Sequence, residues 1–109
     1  MTTTEARSIA HKLSEEVAKE VMRAQLLFQP IYSPHEALGI IREEYAEFEQ
    51  EVYRYNLNKG RDTRPAMRAE LIQLAAMALR TIHDVIDRPE LDKETDDDPG
   101  NPWRLITPV

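Results

Sequence analysis

The sequence predicts an all-α protein, a bundle of three main helices that is completed by oligomerisation. With 109 residues the chain is long enough for one domain and not for two. Apolar residues recur every three or four positions, and no stretch alternates apolar and polar residues over the length of a strand. Only three glycines are present. The helical period therefore accounts for the whole folded part of the chain.

The first helix is predicted from about Thr4 to about Phe28. Its apolar residues form a single stripe with spacings of three and four, typical of a helix that buries one face. The stripe consists of Ala6, Ile9, Leu13, Val17, Val21, Ala24 and Phe28. Pro30 and Pro34 then prevent the helix from continuing.

The second helix has a clear start. Ser33 can cap it, Pro34 suits its first position, and Glu36 completes a Ser-x-x-Glu capping box. The apolar residues that follow alternate at spacings of three and four, which indicates a helix that packs lengthwise against its neighbours. They are Leu38, Ile41, Tyr45, Phe48, Val52 and Tyr55. We expect the helix to end near Asn56, before a polar loop at 58–64.

The third helix is predicted from Pro65 to about Ile86. Between Leu71 and Leu79 it is apolar nearly all round, which indicates a central helix covered on several sides. Two other helices leave part of such a surface uncovered. We therefore expect a homodimer or a homotetramer.

Charge and composition exclude several classes of protein. Segment 87–98 holds seven acidic residues against two basic ones, so the sequence divides into a helical domain at 1–86 and an acidic, flexible tail at 87–109. No basic face stands out, which disfavours general nucleic-acid binding. The absence of cysteine excludes disulfides and thiolate metal sites. Without a membrane-length apolar run or a signal-like N-terminus, we expect a cytoplasmic protein.

Carboxylates concentrate on the second helix. On a helical wheel Glu44, Glu47 and Glu51 share one flank, whereas Glu43 and Glu49 point elsewhere. The third helix places Glu70 and Gln73 three residues apart within its most apolar stretch. Two such pairs on adjacent antiparallel helices can converge on one point.

Converging carboxylates repel one another unless a cation lies between them, and hard cations such as Mg²⁺ prefer oxygen ligands. The ordinary alternative is a solvated helical face whose glutamates pair with Arg42 and Arg54. For Glu70, which is costly to bury unpaired, the alternative partner is Arg68 or Arg42.

Three segments together resemble the MazG-like all-α nucleoside triphosphate pyrophosphohydrolases. They run from Ser33 to Ala37, from Glu43 to Phe48 and from Glu70 to Ala78. The family pattern is Glu-Glu-x-x-Glu on one helix and Glu-x-x-Asp on the next, and the similarity covers roughly residues 20–86.

The resemblance implies a metal-dependent hydrolase that converts a nucleoside triphosphate (NTP or dNTP) to the monophosphate and pyrophosphate. Glu44, Glu47 and Glu70 would be the catalytic metal ligands for Mg²⁺, with Mn²⁺ as a possible substitute. Gln73 occupies the fourth ligand position, where the family usually has Asp. An amide oxygen can coordinate a cation but carries no charge, so the alternative is a weakened or inactive nucleotide-binding or assembly module with the same fold.

The remaining candidate residues are substrate contacts. In the resemblance the end of the first helix lies beside the base pocket, which makes Gln25 and Phe28 candidates, although a core role is the ordinary reading of Phe28. Lys59, Arg61 and Arg64 could neutralise phosphate oxygens. The ordinary reading of these three is a solvated loop.

Overall fold

The computed structural model describes residues 1–57 and 62–88, which form three α-helices: α1 (Thr3–Leu27), α2 (Pro34–Leu57) and α3 (Arg64–Thr81). A π-helical segment, Ile82–Ile86, continues α3 directly. These two ranges contain no strand, so the all-α prediction is confirmed. None of their helices is both long enough and apolar enough to cross a membrane. Residues 58–61 and nearly all of the predicted acidic tail lie outside the described residues.

Side chains fix the starts of the first two helices. Thr2 Oγ1 accepts a hydrogen bond from the Glu5 N–H (3.0 Å), and Ser33 Oγ accepts one from the Glu36 N–H (3.1 Å). The predicted Ser33 cap is therefore confirmed. The Glu36 carboxylate accepts from the Tyr32 N–H (3.1 Å) instead of from Ser33 N, so only half of the predicted capping box forms.

Helix α3 lies between the other two helices, as its apolar composition predicts. It packs against α1 and α2, which barely touch each other. The pairs Glu16–Arg68 and Gln25–Asp84 show that α1 runs parallel to α3. Helix α2 runs antiparallel to α3, because its C-terminal part lies beside Thr63, whose hydroxyl donates to the Glu51 carbonyl (3.3 Å). The gap between α1 and α2 is left open above α3.

The core is small and divides into two groups of buried residues. One lies where α1 meets α3 and contains Ala24, Ala76 and Met77. The other joins the α1–α2 loop to the end of the bundle and contains Ile31, Ala37 and Val85. Ile40, partly buried, packs against both groups and connects them.

The other described residues leave one face of α3 and of its π-helical continuation uncovered. Four large apolar residues on it are between 45% and 49% exposed: Leu71, Leu79, Ile82 and Ile86. Burial of such side chains would stabilise the protein by roughly 25 cal/mol per Å² of apolar surface. The expectation that three helices leave an apolar surface uncovered thus agrees with the fold of the single chain.

The third helix departs from regular α geometry before the predicted end at Ile86. At Ile82 it widens into the π-helical segment, which closes with a hydrogen bond from the Asp87 N–H to the Ile82 carbonyl (2.8 Å). The wider turn carries Asp84, whose carboxylate is bound from outside the helix by the Ile31 N–H (2.9 Å). Spacing of apolar residues does not distinguish a π-helical turn from an α-helical one at the end of a helix.

Candidate metal centre and the adjoining cavity

Three carboxylates meet where α2 crosses α3. Glu44 and Glu47 lie one turn apart on α2, Glu70 lies on α3, and all three side chains are half-buried. One carboxylate oxygen from each residue lies within 4.8 Å of the corresponding oxygens of the other two. The convergence predicted for pairs of acidic residues on antiparallel helices is therefore present in the folded chain.

None of the described residues supplies a basic partner to these carboxylates. Among the described residues, no lysine, arginine or histidine forms an ion pair with any of the three, and Arg68, the alternative partner considered for Glu70, pairs with Glu16 instead. The Oε2 atoms of Glu44 and Glu70 are buried and accept no hydrogen bond. A buried carboxylate oxygen without a partner is costly, which is the usual sign that a ligand completes the site.

The electrostatics of the cluster follow from this isolation. The pKa of the Glu44 carboxyl is raised to about 7, chiefly by burial and then by the negative charges of Glu47 and Glu70. The pKa of Glu70 is also raised, again chiefly by burial and then by the close approach of Glu47. Without a cation, part of the cluster thus holds protons near neutral pH.

The cluster adjoins a cavity of about 520 Å³, within the roughly 300–1,000 Å³ range of small-molecule sites. Helix α3 forms its floor, and α1 and α2 form its walls. Glu44 and Gln73 line the end nearest the cluster. The other residues that line it are Glu20, Arg23, Phe28, Gln29, Ile31, Glu36, Ile40, Glu43, Met77 and Arg80.

The donors at this end suit a small hard cation. Three carboxylates supply oxygen ligands and negative charge, and the Gln73 amide offers a neutral oxygen beside them. Mg²⁺ usually retains waters and takes further oxygens from substrate phosphates, so an incomplete protein shell that opens onto a cavity is the expected arrangement. Thiolate and imidazole ligands, which would favour zinc or copper, do not take part.

A polar network around the buried residues Asp84 and Arg80 adjoins the opposite end of the cavity, which Arg80 lines. Asp84 Oδ1 accepts hydrogen bonds from Gln25 Nε2 (2.9 Å) and His83 Nδ1 (2.7 Å). Arg80 Nε donates to Gln25 Oε1 (2.7 Å). Burial alone would raise the pKa of Asp84, but the hydrogen bonds from His83 and Gln25, together with that from the backbone of Ile31, outweigh it and hold this pKa below its usual value.

The structure places the predicted substrate-contact residues Phe28, Gln25 and Arg64 in three different surroundings. Phe28 lies at the mouth of the cavity, with the Arg23 guanidinium 6.0 Å from its ring centre. Gln25 uses both ends of its amide within the polar network and lines a separate cavity of about 390 Å³ beside His83. Arg64 pairs with Asp62 (2.8 Å) and does not line the carboxylate cavity.

Lys59 and Arg61 lie outside the described residues, so their predicted contacts with phosphate stay predictions. For two cavity residues the structure differs from the sequence analysis, which placed Glu43 away from the cluster and did not single out Arg80. Glu43, which the helical wheel directs away from the cluster, lines the cavity and helps to raise the pKa of Glu44. Arg80 follows an apolar run, and the side chain that fixes it lies far away in the sequence, on α1. In the sequence, the signal for Arg80 was a charged residue directly after the most apolar stretch of α3.

Comparison of the chain with protein-family profiles, with curated proteins and with solved structures finds no match. A function is therefore inferred from the geometry and chemistry of the carboxylate cluster and its cavity.

Proposed function

We propose that the protein is a Mg²⁺-dependent nucleoside triphosphate pyrophosphohydrolase of the MazG-like kind. One observation supports this function: Glu44, Glu47 and Glu70 converge, and in the part of the chain that the structure describes they have no basic partner and two of their buried oxygens accept no hydrogen bond. The cluster lies at one end of a cavity large enough for a small organic ligand. A triphosphate supplies the negative oxygens that complete the shell of a hard cation.

In this proposal the three glutamates hold the cation, and the cation, when bound, supplies charge neutralisation at the phosphates and orients a water. A water oxygen forms a bond to phosphorus, and the bond between the α and β phosphates breaks. Pyrophosphate leaves, and the proton of the water passes to a carboxylate. Glu43 lines the cavity without belonging to the cluster, so it is the side chain we assign to accept that proton.

The direct test is pyrophosphate release from a panel of ribo- and deoxyribonucleoside triphosphates with Mg²⁺ or Mn²⁺. Glu44→Gln and Glu70→Gln should each reduce turnover by at least about 10- to 100-fold, the loss seen when even an outer partner of a metal ligand is removed. Glu49→Gln is the matched control, because Glu49 is an exposed glutamate of α2 outside both the cluster and the cavity. Turnover that survives in the Glu44→Gln, Glu70→Gln double variant would contradict the proposal.

A second candidate function is favoured by Gln73. With an amide at the fourth position the site has one negative charge fewer than the family pattern. A protein of this kind would bind nucleotide and Mg²⁺ without turnover, as a binding or assembly module. Calorimetry distinguishes the two candidates, because the module releases heat on binding a triphosphate but yields no pyrophosphate.

We further propose that the protein acts as a homo-oligomer, a dimer or a tetramer. The support is the uncovered apolar face of α3, which includes Leu71, Leu79 and Ile82. Contiguous apolar patches on soluble chains commonly mark interaction surfaces.

A further inference from the structure

Arg80 is a buried cation at the end of the cavity opposite Glu44. Only 3% of its surface is exposed, and it lines the cavity together with Met77. Its Nε donates to Gln25 Oε1 (2.7 Å), and its Nη2 donates to the Gln29 carbonyl (3.1 Å). These two contacts hold the guanidinium in a fixed position on the floor of the cavity.

Among the described residues, the third nitrogen of Arg80 has no strong acceptor. The acceptor found for Nη1 is the Met77 sulfur at 3.8 Å, and a thioether is a weak acceptor. Asp84 forms an ion pair with the guanidinium through Nη2, but at 3.9 Å the contact is too long for a hydrogen bond and does not involve Nη1. A buried N–H donor with a weak acceptor costs free energy, which a ligand with a suitable acceptor would recover.

The position of Arg80 along α3 indicates which part of a nucleotide it would meet. Glu70, Gln73, Met77 and Arg80 follow one another at spacings of three and four, so they share one face of the helix. Ten residues separate Glu70 from Arg80, which corresponds to about 15 Å along the axis. With the phosphates at the glutamate end, the base is the part that reaches Arg80.

The surroundings of Arg80 suit a base better than a phosphate. Ile31, Ile40 and Met77 supply apolar surface beside it, and the Phe28 ring lies at the mouth of the same cavity. Aromatic rings stack on bases, and this is worth roughly 1–3 kcal/mol per base in proteins that bind single strands. Phosphate sites, in contrast, normally gather several donors from backbone and basic side chains.

We propose that Arg80 is a specificity-determining residue that selects nucleotides with a carbonyl oxygen on the base. The preferred substrates are then 6-oxopurine and 4-oxopyrimidine nucleotides, and nucleotides with an amino group at the same position are rejected. Nη1 donates to the carbonyl oxygen, whereas an exocyclic amine would place donor against donor and leave the buried Nη1 without a strong acceptor. This inference rests on the proposed function, because it takes the phosphates to lie at the glutamate cluster.

Two matched pairs of substrates test the inference. Inosine and adenosine triphosphates differ at C6 of the purine, and uridine and cytidine triphosphates differ at C4 of the pyrimidine. In each pair the adjacent ring nitrogen, N1 or N3, also carries a proton in the oxo member. We expect kcat/KM to favour the oxo member of each pair by at least about tenfold, a small part of what a buried hydrogen-bonding site can reach. This comparison uses the unmodified protein and does not depend on a variant that folds.

The Arg80→Lys variant then tests whether Arg80 causes the preference for the oxo member of each pair. Lysine keeps the charge but loses the fixed fork, so we expect the oxo-to-amino ratio to fall towards one, mainly through KM for the oxo member. Arg68→Lys is the matched control on the same helix, because Arg68 pairs with Glu16 outside the carboxylate cavity, and it should keep the ratio.

Equal rates within both pairs would overturn the inference, as would an unchanged ratio in Arg80→Lys. An equal loss for every nucleotide in Arg80→Lys would also overturn it, since that is the effect of a phosphate contact or of a damaged fold. If no triphosphate is hydrolysed at all, the proposed catalytic function fails, and the ratio of dissociation constants for the same pairs decides the role of Arg80 independently.

Discussion

The raised pKa of the Glu44 carboxyl makes the stability of the protein depend on pH. The Glu44 pKa is about 7 in the fold against a usual value of 4.5. Between these two values the unfolded chain gives up the proton and the folded chain keeps it. Without divalent cation, the free energy of unfolding should therefore fall as pH rises from about 4.5 to 7. The expected loss is on the order of 1–2 kcal/mol, since a tenfold change in acid dissociation is worth about 1.4 kcal/mol and solvent screens a half-buried group.

Urea unfolding at a series of pH values measures this loss. Glu44→Gln should flatten the pH dependence, whereas Glu49→Gln, the exposed control on the same helix, should retain it. Excess Mg²⁺ at pH 7.5 should restore stability to the wild type and leave Glu44→Gln largely unaffected, because a bound ion stabilises only the state that holds it. A stability that rises from pH 4.5 to 7 without metal would refute this account of the cluster.

Gln73 is the residue at which the sequence differs from the MazG-like pattern that it resembles, and Gln73→Asp tests the effect of that difference. A fourth carboxylate beside the cluster should raise the affinity for Mg²⁺ by roughly tenfold, through added Coulomb attraction. It should lower stability in the absence of metal, because one more acid must be held among like charges. Titration calorimetry with Mg²⁺ measures the first effect and thermal melting the second. Gln50→Asp, at an exposed position of α2, should change neither.

The sequence predicts the positions of those site residues that follow from the helical repeat. Glu44 and Glu47 are one turn apart, and Glu70 is isolated in an apolar stretch, so their convergence follows from helix geometry and the cost of burying a charge. Arg80 was not recoverable in the same way. Its role depends on Gln25, which is distant in sequence, and on which helices run parallel.

Among the elements, the π-helical segment Ile82–Ile86 connects α3 to the α1–α2 loop. Asp84 is 4% exposed and accepts hydrogen bonds from Gln25 and from the Ile31 backbone. Asp84→Ala removes both acceptors and leaves the Arg80 charge without its nearby acid. We expect the free energy of unfolding to fall by about 3 kcal/mol, as when a buried charge loses its partner.

Chemical denaturation measures the effect of Asp84→Ala on the free energy of unfolding. Asp87→Ala is the control, because Asp87 is an exposed acid that directly follows the π-helical segment. The pKa of Asp84 is held below its usual 3.8, so its contribution is complete above that value and is lost as pH falls through the lowered pKa. The wild-type protein and Asp84→Ala should therefore have similar free energies of unfolding in strong acid. A difference between them that persists in strong acid would show that Asp84 acts through packing and not through its charge.

The helices themselves were predicted within a residue or so at most ends, because caps and prolines are local signals. Ser33 and Pro34 fix the start of α2, and Pro65 lies at the first turn of α3. The π-helical turn was not predicted, because the hydrogen bond that Asp84 accepts from the α1–α2 loop joins residues that are distant in the sequence. The local sequence therefore determines where each helix begins and ends. Contacts between segments that are distant in the sequence determine where a helix departs from α-helical geometry.

For the whole molecule, sequence predicts the class and the central place of α3 but not the direction of packing. That α1 is parallel to α3 follows only once Glu16–Arg68 and Gln25–Asp84 are seen as pairs. The antiparallel direction of α2 follows from the contact between Thr63 and Glu51. This arrangement opens the space between α1 and α2 in which the cavity lies. The candidate site is thus as much a product of topology as of its own residues.

The same arrangement leaves the outer face of α3 uncovered by the described residues, and the oligomeric state of the protein tests whether a second copy covers it. Leu71, Leu79, Ile82 and Ile86 are half-exposed, whereas the cavity residues of α3 lie on the other side of the helix. If a second copy covers this face, Leu79→Lys places a charge in the interface and should convert the oligomer to a monomer in light scattering across a range of concentrations. Leu26→Lys is the control, an equally drastic change at an apolar residue of α1 that is 84% exposed. An oligomer that withstands Leu79→Lys but dissociates in Leu26→Lys would place the interface on α1, and a wild-type monomer at all concentrations would show that the apolar face of α3 has a different use.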